Sequence, residues 1–395
     1  MLVPLSNTPR AYAWGSADAI AALEGREPSG APEAEVWFGD HAGDPAELED
    51  GSTLDAWIAA HGAEHGVDGP LPYLLKLLAA GSPLSIQAHP SLEQARRGFA
   101  REEATGIPRD AAHRNYRDAN HKPEVIVALS DTFEALAGFR SVADLDSLLS
   151  SLAGVASEIA SLRSRLLTGD PAATLREAVR DLLSGDASEL AAEVSRAVAE
   201  TDGGPFADDV AALARLEQAY PGDPGVGVAL LLNRVVLSRG EAIFVPAGVP
   251  HAYLSGLGVE LMAASDNVLR GGLTPKHIDV PELVEILDAS PAPAPLLVAQ
   301  ARAAGVDVFE APVSDFSLTR VRATAGADAR IALAGPAIAL ATAGAPRVGG
   351  AATGTEHART LAPGRALFVT PDEGSVLVGG AGEVFLAQPG ALIGS

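Results

Sequence analysis

The sequence contains no cysteine among its 395 residues. Disulfides, thiolate zinc sites, cysteine-held iron–sulfur clusters and thiol nucleophiles are therefore excluded. Any metal site must draw on histidine, carboxylate and amide side chains. Basic residues are scarce: 28 Lys and Arg stand against 51 Asp and Glu, for a net charge of −23. Such a field repels phosphate backbones and anionic bilayers, so no nucleic acid and no membrane is expected as a partner. An anionic small molecule can still be held, but only by a local cluster of Arg and Lys. No apolar run reaches the roughly 18–20 residues a membrane helix needs. Met1 to Arg10 shows no basic stretch followed by an apolar one, so no secretory leader is expected and the expected location is cytoplasmic.

The length calls for two or three domains. Residues 1–90 read as short strands and loops with one or two helices: strands at Leu2–Leu5, Glu35–Gly39 and Tyr73–Leu78, helices at Ala17–Leu23 and Leu54–His61. Ser91 caps a helix through Leu92, Ala95 and Phe99. Arg96, Arg97, Arg101, Arg109, Arg114 and Arg117 follow closely, a basic stretch in an acidic chain, expected as a solvated face. From residue 141 the pattern turns helical. Leu145, Leu148, Leu149, Leu152, Val155, Ile159, Leu162 and Leu166 recur mostly at steps of three and four, and three further helices run through Leu175–Leu183, Leu190–Val198 and Val210–Leu216. Gly169-Asp170-Pro171, Ser184-Gly185-Asp186 and Asp202-Gly203-Gly204-Pro205 separate them. Val228–Leu237 is expected to be a helix. Strands are then expected at 240–245, from His251, and again at 258–264, with a short helix at Ile278–Leu287. Beyond residue 290, strands at Phe316–Val321, Arg330–Ala341, Ala366–Thr370, Ser375–Val378 and Glu383–Ala387 make an all-β region of sandwich or barrel type.

Chemistry gathers in four stretches. Ser85, Gln87 and His89 alternate between Pro83 and Pro90, which puts all three on one face if the segment is a strand. The segment follows the run Leu74–Ala80, apolar except for Lys76. Lys122-Pro123-Glu124 opens the strand Val125–Leu129, leaving a carboxylate at the margin of an apolar face, where it needs a cation or a metal. His251 follows the turn Pro246–Pro250. Arg270, Lys276 and His277 sit in a Gly-rich loop. Each has a plainer reading: a core histidine beside a hydrogen-bonded glutamine, a Glu124–Lys122 ion pair, a turn histidine facing water, an exposed loop. Two imidazoles, a carboxylate and an amide oxygen with an open position suit catalytic zinc. No spacing rule by itself selects these four from nine histidines and 51 carboxylates.

The stretches 85–90, 120–124, 246–253 and 260–276, together with Tyr12-Ala13-Trp14-Gly15 and Glu35-Val36-Trp37-Phe38-Gly39, resemble the type I phosphomannose isomerases, in the right order up to about residue 285. The resemblance implies a mainly β fold with an α-helical insert: a zinc-binding cupin-type (jelly-roll) β-barrel over 1–140 and 225–288, a helical insert over 141–224, and a second cupin-like β domain over 289–395. It implies one zinc ion held by Gln87, His89, Glu124 and His251, with Arg270, Lys122 and Lys276 in the active site. The implied reaction interconverts mannose 6-phosphate and fructose 6-phosphate through a cis-enediol(ate), with a small sugar phosphate as the partner and a monomer as the expected state. Ser85, Lys276 and Arg270 are candidate phosphate contacts. His121, Lys122 and Glu260 are candidates for moving the proton, although His121 could instead orient Glu124. Phe38 stands where the family usually has Met, and Gly271 where it often has Ala. The rival readings are a sugar-binding cupin without catalysis, a metal-dependent oxygenase, and an isomerase of other aldoses.

Overall fold

Two antiparallel sheets and a group of helices form the computed structural model, which describes residues 1–152, 157–201 and 203–390. The first sheet has nine strands arranged about His251–Ala263. That strand pairs first with Gln87–Ala88 and Phe133–Phe139, and further along with Tyr73–Ala80 and Glu124–Ala128. Tyr73–Ala80 is buried at every position. A strand covered on both faces must be apolar on both, which is why the run Leu74–Ala80 does not alternate.

The second sheet has ten strands, spanning Gln300–Gln388 plus Leu2–Ser6 and Glu47–Leu48. The opening strand Leu2–Ser6 lies between Ala366–Val369 and Glu47–Leu48. The sheets share a core in which Val36, Leu75, Leu77 and Val125 of the first meet Leu340, Phe368 and Phe385 of the second. The helices Val142–Leu152, Ser157–Thr168, Pro171–Ser184, Ser188–Glu200 and Ala207–Ala219 bury their leucine and valine stripes in another cluster. Ile86 and Ala88 belong to that cluster, so helical packing fixes the backbone on either side of Gln87. Among the described residues no helix is long and apolar enough to cross a membrane.

Several expected elements differ. The single helix expected from Leu145 to Leu166 is two, because Glu193 of a neighbouring helix accepts from the free amides of Ser157, Glu158 and Ile159 and so starts a new helix there. Val155 and Asp202 lie outside the described residues. Val228–Leu237 is helical only to Leu231. Leu232–Leu237, with its Val235-Val236 pair, is a strand against Phe133–Phe139. The separate strands expected at 251 and 258–264 are one. Those expected at Ser375–Val378 and Glu383–Ala387 are also one, Ser375–Gln388, paired with Ala337–Gly350. The glycines between them read as a turn, but they are where the two strands press together: a Cβ on Gly382 would strike Ala343 O and Pro346. The strand expected over Arg330–Ala341 is broken into Ala329–Ala332 and the strand beginning at Ala337. Within Pro83–Pro90, strand pairing is confined to Gln87–Ala88. The basic stretch is not simply a solvated face: Arg114 is buried between Glu102 and Glu103.

Candidate active site

Glu124 begins its strand, and its carboxylate reaches between two imidazoles. Oε1 lies 3.3 Å from His89 Nε2, and Oε2 lies 3.3 Å from His251 Nε2. The other ring nitrogens are committed. His89 Nδ1 is 2.7 Å from the Asn267 carbonyl, and His251 Nδ1 is 3.1 Å from the Val249 carbonyl. A carbonyl can only accept, so each Nδ1 carries a proton, and in the neutral ring the Nε2 then presents a lone pair toward the carboxylate. His89 Nε2, His251 Nε2 and Glu124 Oε2 are buried and have no hydrogen-bond partner. Three buried electron-pair donors converging without a proton among them are costly unless a cation sits there. One donor atom from each lies within 4.8 Å of the others, a spacing that fits a metal ion. Gln87 pairs in register with His251 on one side and with Arg270 on the other, so its amide side chain belongs to the same neighbourhood.

The electrostatics agree with that arrangement. Burial pulls the His89 imidazole down to about 4, leaving it neutral at pH 7. Burial also pushes the Glu124 carboxyl up, but the Lys122 ammonium 2.8 Å away and the two histidines outweigh it, holding the group well below the usual carboxylate range. The expected Glu124–Lys122 ion pair therefore exists alongside the histidine cluster and does not replace it.

A cavity of about 540 Å³ opens over this cluster. Ser85, Gln87, Lys122, Glu124, Glu260 and Arg270 line it, and Lys276 stands on its rim. Its second buried charge cluster was not singled out from the sequence. Lys76 Nζ lies 3.3 Å from Glu260 and 3.6 Å from Glu35, and 4.9 Å from the centre of the Trp37 ring. Trp37 Nε1 donates to Glu35 at 2.8 Å. Burial works to lower the Lys76 ammonium pKa, but the surrounding carboxylates carry it above the usual lysine value. Glu260 is pushed up, by burial first and then by the charges of Glu124 and Glu35, against the pull of Lys76. The signal was present: Lys76 is the one charge in an otherwise apolar buried run.

Two further cavity-lining charges, Arg270 and Lys276, are positive and unpaired, and Arg117 lies near enough to repel them. Arg270, Lys276 and Arg117 make no ion pair or side-chain hydrogen bond among the described residues, although the chain is strongly acidic overall. Burial lowers the Arg270 and Lys276 values, and repulsion from Arg117 lowers them further. His121 lies elsewhere. Its Nε2 is 3.0 Å from Asp315 of the second sheet's region, and among the described residues no hydrogen bond joins it to Glu124. The orienting partner of the cluster is Asn267, whose carbonyl holds His89 while its side chain knits Arg117 N, Asp118 O and Asn120 O together.

The mannose-6-phosphate isomerase of Escherichia coli K12 is 38% identical over 398 residues, covering 96% of this chain and 97% of that one. The chain belongs to the type I phosphomannose isomerases. The family's catalytic-domain profile matches residues 2–142. Human mannose-6-phosphate isomerase is 33% identical across 80% of this chain and 81% of its own. A zinc-bound holo structure of mannose 6-phosphate isomerase superposes with a TM-score of 0.88 at 35% identity, over 99% of this chain and all of that one. In this phosphomannose isomerase fold, Glu124 of the histidine cluster, the Lys76–Glu260–Glu35 cluster and the unpaired Arg270 and Lys276 line one cavity.

Proposed function

We infer that this chain is a zinc-dependent aldose–ketose isomerase that interconverts mannose 6-phosphate and fructose 6-phosphate. The single observation carrying the reading is the buried His89–Glu124–His251 cluster, whose two Nε2 atoms and Glu124 Oε2 have no hydrogen-bond partner, beside a cavity also lined by the unpaired Arg270 and Lys276. Gln87, His89, Glu124 and His251 would hold the zinc, which when bound supplies a Lewis acid for negative charge on the sugar oxygens. A zinc-bound solved relative of the same fold supports that choice of metal.

The protein's own groups then divide the remaining work. Arg270 and Lys276, with no carboxylate competing for them, hold the phosphate, and Arg270 is also placed to steady an enediolate oxygen through its planar fork. Ser85 adds a hydroxyl. Proton transfer between C1 and C2 falls to Glu260 or Lys122, both lining the cavity. Of the two, Glu260 is better suited as a base because its carboxyl is pushed upward, toward a working pH. His121 is left out, since Asp315 engages its ring.

The finer architecture we propose is a cupin-type jelly roll over 1–140 and 225–288, a helical insert over 141–224 and a cupin-like β domain over 289–395, acting as a cytoplasmic monomer. A sugar-binding protein without catalysis would have no use for a buried Lys76–Glu260 pair facing the ligand. The deciding experiment is a coupled assay of the zinc-loaded protein. Mannose 6-phosphate should be converted to fructose 6-phosphate, and absence of product from metal-replete protein would overturn the reading.

A further inference from the structure

The loop 271–276 carries Lys276, follows Arg270, and holds the one non-glycine residue with positive φ among the described residues: Leu273, at 54°. Such a conformation costs energy and persists only where surrounding contacts impose it. The contacts come from the turn that ends the helical region. Asp223 Oδ1 accepts from Leu273 N at 3.0 Å and Oδ2 accepts from Thr274 N at 3.0 Å, while Oδ1 also accepts from Gly225 N at 2.7 Å. The backbones touch: a Cβ on Gly225 would come within 2.5 Å of Leu273 N, and one on Gly272 would strike Gly225 Cα. From the same turn, the Tyr220 hydroxyl donates to Pro83 O at 2.7 Å, at the start of the segment bearing Ser85 and Gln87. That segment is bound in turn to the loop, through Gly271 N to Ile86 O and Ile86 N to Gly272 O.

We propose that Asp223 is a positioning residue for the phosphate end of the cavity. It touches neither substrate nor metal. Its carboxylate fixes the strained backbone at Leu273 and Thr274, and thereby the place from which Arg270 and Lys276 reach the anion. The helical region thus takes part in substrate binding through one turn that grips both walls of the cavity. The carboxylate is required because two backbone N–H groups of the loop must be met by two oxygens. Asparagine offers only one acceptor and turns its NH₂ toward the other amide. The inference rests on the reading of Arg270 and Lys276 as phosphate-binding groups.

The test is steady-state kinetics of full-length, zinc-replete protein carrying Asp223→Asn, and of Gly225→Ala, which pushes on the same contact sterically. Inorganic phosphate serves as a competitive probe and Lys276→Ala as the reference. Both Asp223→Asn and Gly225→Ala are expected to raise KM for mannose 6-phosphate and the inhibition constant for phosphate together, by tenfold or more. kcat should fall by a smaller factor than KM rises, and bound zinc should be unchanged. A merely structural role would lower the melting temperature without that split. If Lys276→Ala weakens phosphate inhibition but neither Asp223→Asn nor Gly225→Ala does, the positioning role is overturned. If Lys276→Ala leaves phosphate inhibition intact, the phosphate assignment itself falls, and this inference with it. Should Asp223→Asn not fold, the KM and phosphate constants of Gly225→Ala decide.

Discussion

Lys76 and Glu260 face each other in register across two neighbouring strands, with Nζ 3.3 Å from Oε2 and both side chains buried. Lys76 is the cation that allows Glu260 and Glu35 to share a buried wall of the cavity. Replacing it with methionine, Lys76→Met, keeps the volume but leaves two carboxylates without their counter-charge. Breaking a buried pair in this way costs about 3–5 kcal/mol. Denaturant unfolding at pH 8 should show that loss. The deficit should shrink as the pH falls, because protonating Glu260 removes one of the stranded charges.

Glu260 itself gives a pH signature. Burial and the charges of Glu124 and Glu35 raise its carboxyl above the ordinary glutamate value. The folded protein therefore binds this proton more tightly than the unfolded chain does. The resulting contribution favours folding below the unfolded glutamate value and is lost as pH rises through the raised folded value. The unfolding free energy of wild type minus that of Glu260→Gln should fall with rising pH across that window. If Glu260 is the base, the acid limb of kcat/KM should also lie above an ordinary carboxylate, and Glu260→Gln should lower kcat by about 100-fold or more.

Removing the metal should abolish isomerisation and zinc should restore it, as followed by the coupled assay with metal analysis of the same samples. Loaded protein should also melt at a higher temperature than stripped protein, since a ligand that binds only the folded state stabilises it. Full activity in a verified metal-free sample would be incompatible with the proposed mechanism.

Arg270 has no carboxylate partner, so Arg270→Ala strands no buried charge within the protein. The melting temperature should change little while kcat/KM falls by about 100-fold or more, the scale for losing a charge-stabilising group. Arg270→Lys should restore little, because an ammonium cannot reproduce the planar two-point contact.

His121→Ala separates the position suggested by its neighbours in sequence from the one it occupies. The change removes a partly exposed pair with Asp315, which is worth about 0.2–1 kcal/mol. A small stability loss with kcat unchanged is expected. A large fall in kcat would return His121 to the active site.

Much of the site was legible from local chemistry. The i, i+2 spacing of Ser85, Gln87 and His89, the proline before Glu124 and the Pro/Gly turn before His251 all act within a few residues. So does the Ser91–Gln94 capping box that starts the helix Leu92–Thr105. Alternation along a single strand was legible only in part. His251 and Tyr253 are odd-numbered, while Glu260 and Met262 are even-numbered. Tyr253, Glu260 and Met262 nonetheless line one cavity because the register shifts between Tyr253 and Ser255. That irregularity belongs to strand pairing, and its trace in the strand's own residues is Gly256, at φ 118° beside the shift.

The sequence by itself determined the absence of thiol chemistry, the acidic field, the residue types able to hold a metal, and the helical and strand periods, since each depends on composition or on neighbours within a turn. Tertiary structure alone decided that Lys76 stands between Glu35 and Glu260, that His121 turns to Asp315, and that Leu2–Ser6 lies against Ala366–Val369. It also decided that Asp223 reaches Leu273 and Thr274, fifty and more residues along the chain. Hydrogen bonds and ion pairs act over about 3 Å in space whatever the separation in sequence, and only the folded chain sets which distant groups come that close.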